Sequence, residues 1–248
     1  MIEKPYYRIS RPLTNGGYLD SLENTYLISN DYADDRISLI RSFHIICKDL
    51  MEILDYVDSH DENLGTFSHR IYELFLRSST EFESNCKGIL KANDYPTSNN
   101  LNITDYFKIN KALKLNEYEV GLNFWQPNVK IIKPFEEWNS TTFTSLTWYQ
   151  NYNNVKHHRS MNFNHANLGN LLNSIAAVFV MLYAQFNIFT FGPYQPQSFV
   201  ITDELGFDYI DSSIFKIKSP TFTDSNELYD FDWETLRNTP NPINKFTF

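Results

Sequence analysis

Ten consecutive apolar residues, Ile175-Ala-Ala-Val-Phe-Val-Met-Leu-Tyr-Ala184, constrain this chain more than any other feature. A helix at a protein surface carries one apolar stripe and one polar face, whereas a helix apolar all round has to be packed on every side. The run lies inside a helix expected from about Ala166 to Phe189, and it predicts a central helix wrapped by the rest of the chain. It supplies about half of the ~20 residues that a membrane span needs. The N-terminus, Met-Ile-Glu-Lys-Pro-Tyr-Tyr-Arg, has no charged-then-apolar signal pattern. A soluble protein of the cytoplasm is the expectation.

Helices able to wrap that hub are legible upstream. From about Arg36 to Asp58, Ile37, Ile40, Phe43 (or His44), Cys47, Leu50 (or Met51), Leu54 and Val57 recur at three- and four-residue steps. Ser68 reads as the N-cap of a second long helix reaching about Ala92, with Ile71, Phe75, Phe82, Cys86 and Ile89 as its stripe. A shorter helix is expected from Ile103 to about Leu115, opened by Thr104 and Asp105. Pro127 and Pro134 then mark a loop containing Trp and Phe residues, and a third major helix is expected from about Leu146 to Arg159. Before Arg36 the chain reads as irregular, with a turn signal at Asn15-Gly16-Gly17. After Pro193 and Pro196 the pattern changes to short β-like pieces at Phe199–Thr202, Phe207–Ile210 and Ile214–Lys218. The expectation is a mainly α fold, a helical bundle of four to five helices. It forms a single domain over residues 1–248, with its helical core over 36–190 and a small β-like and irregular extension over 191–248.

Between Trp148 and Arg159 the sequence concentrates chemistry: Trp-Tyr-Gln-Asn-Tyr-Asn-Asn-Val-Lys-His-His-Arg. On one helix Asn153, Lys156 and His157 fall on adjacent turns of one face, and Arg159 falls with Trp148, Tyr152 and Val155 on a more apolar side. Crowded cations favour a neutral imidazole, the form that accepts a proton. The second helix offers partners. Arg70, Arg77 and Glu81 flank one side of its stripe, and His69, Glu83 and Lys87 flank the other. If the two helices pack together, Glu83 (or Glu81), Arg70, His157 and Arg159 form one composite site. The alternative is a polar seam of ordinary pairs, Glu73–Arg77 and Glu83–Lys87 among them, worth tenths of a kcal/mol each. Trp148, Tyr149 and Tyr152 could stack RNA bases, but rings at this spacing are more often core.

Several classes drop out. A net charge of −9 argues against a general polyanion-coating protein while leaving a local basic patch open. His157 and His158 are adjacent and point to different helix faces, so no metal site is expected. With eight Gly and no Gly-x-Ser-x-Gly or phosphate-cradling loop, neither a nucleophilic hydrolase nor a nucleotide hydrolase is expected, and no cofactor. Cys47 and Cys86 read as reduced, buried thiols.

The segments Ser68-His-Arg-Ile-Tyr-Glu-Leu-Phe-Leu-Arg-Ser-Ser-Thr-Glu-Phe-Glu83 and Tyr152-Asn-Asn-Val-Lys-His-His-Arg159 resemble a group of uncharacterised bacterial proteins. More remotely, Asn153 to His157 resembles the HEPN superfamily of small α-helical bundles. Many of these are metal-independent ribonucleases of toxin–antitoxin and phage-defence systems. Their motif places an Arg, then a polar residue such as Asn, then a His four to six positions after the Arg. Asn153 and His157 match it, and Tyr152 stands where the Arg belongs. The resemblance implies a homodimer, with RNA and an antitoxin or other protein as partners. As a ribonuclease, His157 would be the general acid or base, Arg159 and Lys156 would neutralise phosphate, and Asn153 would orient the imidazole. Arg70 or Arg77 would have to supply the missing arginine. The alternative is an RNA- or protein-binding helical module without catalysis.

Overall fold

The structure, a computed structural model, describes residues 1–14, 23–96, 101–139, 141–190, 200–210 and 213–248. Its hub is α6 (Leu168–Phe186), started by Asn167, whose side chain accepts the Asn170 N–H at 3.0 Å. Every residue from Ser174 to Phe186 is buried, as the all-round apolar run requires. By length and composition α6 could cross a membrane, but it is buried within the fold and packs as a core helix against α1 (Arg36–Leu54), α2 (His69–Ala92) and α4 (Thr147–His157). Its closest neighbour is α2, where a buried hydrogen bond of 2.6 Å joins Ser78 and Ser174 between two apolar faces. Small hydroxyl side chains at that crossing let the helices approach while leaving no polar atom of the pair unbonded.

Local signals explain the helix starts. Ser68 caps α2 by accepting the Ile71 N–H at 3.2 Å. In α3 (Ile103–Leu113), Asn102 and Asp105 form a capping box, so Asn102 opens the helix two residues ahead of Thr104. Lys114 ends it in the left-handed region at φ 50°.

The mainly α bundle is not what forms. Seven helices and a five-stranded sheet make an α+β fold among the described residues. The strands β1 (Glu119–Leu122), β2 (Lys130–Ile132), β3 (Val200–Thr202), β4 (Asp208–Ile210) and β5 (Phe215–Lys218) lie antiparallel in the order β2-β1-β5-β4-β3. Two of the five strands, β1 and β2, come from the segment read as a Trp- and Phe-containing loop. Val120, Leu122, Ile132, Phe215 and Ile217 form its buried face, and Phe215 meets Phe43 of α1 and Phe179 of α6 at 6.3 and 5.3 Å. The sheet is therefore part of the core. Strands of three or four residues are too short to show alternation. In β1 the remaining signal is erased by Gly121, where a Cβ would lie 2.6 Å from the stem of Lys216 on β5.

The terminal segments are also structural. Leu13 bridges Tyr229, Tyr6 bridges Asn244, and the Tyr229 hydroxyl donates to the Ile9 carbonyl at 2.7 Å. Ile9, Tyr26 and Tyr229 are fully buried. These stretches read as irregular because their order comes from contacts more than 200 residues apart in sequence, not from a local period. A four-residue helix, α7 (Trp233–Leu236), seats Trp233 against Tyr26. The Asn15-Gly16-Gly17 turn, residue Phe199 and the breaks at Pro193 and Pro196 lie outside the described residues.

Candidate functional site

α4 buries Trp148, Tyr149, Tyr152 and Val155. The three rings are core, as their spacing favoured, with Trp148 and Tyr149 packed edge-on against Phe82 of α2. The helix stops at His157, two residues short of the expected end. His158 takes φ −136° and ψ 56°, and Arg159 begins a separate helix, α5 (Arg159–Asn162). The helical phase that put Arg159 beside Tyr152 and Val155 is therefore lost at His158. Arg159 turns instead to the start of α2.

The composite site does not assemble as one cluster. Glu83 is half-buried between α2 and α4, accepting the Tyr149 hydroxyl at 2.9 Å and pairing with Lys87 at 3.4 Å. Burial, and next the Glu83 carboxylate, push the Tyr149 hydroxyl up, so it stays protonated and donates. Lys156 donates to the Tyr152 hydroxyl at 2.9 Å and lies 4.9 Å from that ring, and this hydrogen bond raises its pKa, keeping it charged. Arg70 pairs with Glu73 on the surface and lines a cleft of about 610 Å³ between α1 and α2, away from α4. Arg77 crosses to Asp49 of α1 rather than pairing with Glu73. The Glu81 side chain is half-buried and, like half-buried Asn153 and exposed His157, makes no hydrogen bond or ion pair to a described residue. Among the described residues, His157 thus has no carboxylate and no arginine bonded to it.

A different cluster does form around Arg159. Its guanidinium lies 4.5 Å from the Tyr72 ring centroid and 5.4 Å from that of Phe163, and its Nη2 is 2.8 Å from His69 Nδ1. Phe163 is the wedge of the group, touching Phe67 at 5.8 Å, His69 at 4.9 Å and Tyr72 at 5.8 Å. Phe67 is 49% exposed, His69 and Arg159 are exposed, and Met161 of α5 is 83% exposed, so this platform faces solvent. Lys156, His157 and His158 are exposed immediately before it in the chain. Phe67, Tyr72 and Phe163 escaped the sequence reading. A signal was present: Phe67 and Tyr72 flank the Ser68 cap at the two positions of a hydrophobic staple, which marks rings gathered at a helix start.

No group of three or more His, Cys, Asp or Glu among the described residues could hold a metal ion. Cys86 is buried and Cys47 half-buried, both as free thiols. Comparison with protein-family models, curated proteins and solved structures gave no match to this chain.

Proposed function

We propose that this chain is a non-catalytic protein of the cytoplasm that binds single-stranded RNA on the platform formed by His69, Tyr72, Arg159 and Phe163. The observation that carries this reading is the exposed Arg159 guanidinium lying against two rings with a histidine at hydrogen-bond distance. Unpaired bases stack on aromatic faces and on guanidinium planes, and such stacking is tolerant of sequence. Lys156, exposed just before the platform in the chain, supplies a cation for the phosphates despite the net charge of −9, and the exposed imidazoles of His157 and His158 supply ring N–H donors. The two unpaired thiols suit a reducing compartment.

Fluorescence anisotropy with a labelled single-stranded oligouridylate at low salt tests this. Arg159→Ala and Phe163→Ala should each weaken binding by about tenfold, the scale of one lost stacking contact. Affinity should fall as salt rises. No binding by the wild-type protein would sink the proposal. The exposed, unencumbered His157 favours one second reading, a metal-independent ribonuclease. Incubation with the same RNA and a chelator separates the two. Intact RNA is the expected result, and cleavage abolished by His157→Ala would install the ribonuclease in its place.

A further inference from the structure

α3 presents Lys108, Lys111 and Lys114 three residues apart, toward a cleft of about 480 Å³ that Phe107, Trp138 and Phe248 also line. That volume is in the range of sites for small organic ligands. Like charges at this spacing repel weakly, and a compensating group relieves the repulsion. Two have one within the protein. Lys108 donates to the Tyr95 hydroxyl and lies over its ring, and Lys114 pairs with Glu227 at 2.7 Å. Lys111, between them and exposed, makes no hydrogen bond or ion pair to a described residue, and among the described residues no carboxylate lines the cleft.

The floor is fixed. Asn110 uses both ends of its amide, donating to the Trp138 carbonyl at 2.9 Å and accepting the Asn116 N–H at 3.0 Å. Trp138 is buried and its indole N–H donates to the Thr144 carbonyl at 3.1 Å. The side chains of Asn116, Asn139 and Thr141 line the same cleft with no recorded partner among the described residues. The cleft thus offers one uncommitted cation, three uncommitted neutral polar groups, and the half-buried rings of Phe107 and Phe248.

We propose that this cleft is a second binding site, separate from the Arg159 platform, for a nucleoside phosphate. The phosphate sits against Lys111, where it relieves the repulsion along α3. The planar base lies against Phe107 and Phe248, and Asn116, Asn139 and Thr141 serve its polar edges or the sugar hydroxyls.

Isothermal titration of the full chain with adenosine 5′-monophosphate tests this, with adenosine and inorganic phosphate as half-ligands. Saturable binding of the nucleotide is expected, with each half-ligand at least about tenfold weaker. Lys111→Gln should weaken the nucleotide by about tenfold while leaving the melting temperature and the binding of oligouridylate unchanged. Absence of nucleotide binding at millimolar concentration would overturn the proposal. So would an affinity unchanged in Lys111→Gln, or inorganic phosphate binding as well as the nucleotide. Loss of nucleotide binding in Arg159→Ala would also overturn it, by moving the ligand to the other surface.

Discussion

Arg8 and Arg159 each link a separate segment to a long helix, and they do so in opposite surroundings. Arg8 comes from the N-terminal segment, held in the left-handed region at φ 58° and only 6% exposed. It pairs with Asp35 at the start of α1 and reaches Gln185 Oε1 of α6 at 3.4 Å. Gln185 in turn donates to Asn85 of α2 at 2.9 Å, so one guanidinium ties four segments in the interior. Arg159 ties α5 to α2 on the surface, through rings and a histidine. The lesson is about environment. A buried guanidinium must be fully partnered for the fold to hold, whereas an exposed one costs the fold little and keeps a face free for a ligand.

The sharpest way to break this contrast is Arg8→Ala. It leaves the Gln185 and Asn85 amides facing a cavity and frees Asp35, so a loss of about 3 kcal/mol is expected in urea denaturation. A loss under about 1 kcal/mol would mean that Arg8 is no more structural than Arg159.

Gly88 of α2 refines the same point. A Cβ there would meet Arg8 Nη1 at 2.9 Å, and Arg8 is pinned by Asp35 and Gln185. Gly→Ala in a helix normally stabilises by about 0.5–1 kcal/mol. In the wild-type background Gly88→Ala should destabilise instead. In the Arg8→Ala background the normal gain should return, and a double-mutant cycle reads the change of sign.

How much of this contrast was legible follows from what each region depends on. The hub helix α6 was written in an apolar run, and the start of α2 in Ser68, because both rest on local rules. The Arg8 junction was invisible, since it joins residues up to 177 positions apart within a segment that has no period. The sheet was half hidden by strands of three or four residues and by a glycine placed to clear a lysine stem. The grouping of side chains around residues 148–159 was only partly legible. The basic residues near 156–159 are exposed as a site requires, but nothing in Val-Lys-His-His-Arg marks the break at His158. That break takes Arg159 away from the α4 face and toward Tyr72 and Phe163. Arg70 and Glu83 were correctly placed on different flanks of α2, and for that reason they could not join one cluster.

Arg159→Ala carries the surface half of the comparison. It removes one exposed cation–ring contact and a hydrogen bond, so a stability loss of about 0.5–1 kcal/mol is expected. The RNA affinity should fall by about tenfold at the same time. A stability loss as large as that of Arg8→Ala would make Arg159 a structural residue and remove the basis for the platform.

Asp208 tests whether partnering, rather than burial alone, is what separates the two arginines. Its carboxylate lies on the inner side of the sheet and accepts the Tyr183 and Thr202 hydroxyls at 3.2 and 2.7 Å, with no cation paired to it among the described residues. Burial raises its pKa, and the two hydroxyls only partly offset that. Above its folded-state pKa the folded protein carries a half-buried, partly desolvated charge that the unfolded chain would solvate fully, which lowers stability. As pH falls through that value toward the usual aspartate range, the folded state takes up the proton first and the penalty disappears. Asp208→Asn still accepts one hydroxyl on its amide oxygen, donates its amide N–H to the other, and never ionises. It should therefore be more stable than wild type by a few tenths of a kcal/mol at neutral pH, with the advantage shrinking as the solution is acidified. Thermal melts of the two proteins across that range measure the difference directly. A variant less stable than wild type at neutral pH would show that the Asp208 charge is compensated after all, and that the interior tolerates an anion without the counter-charge that Arg8 has in Asp35.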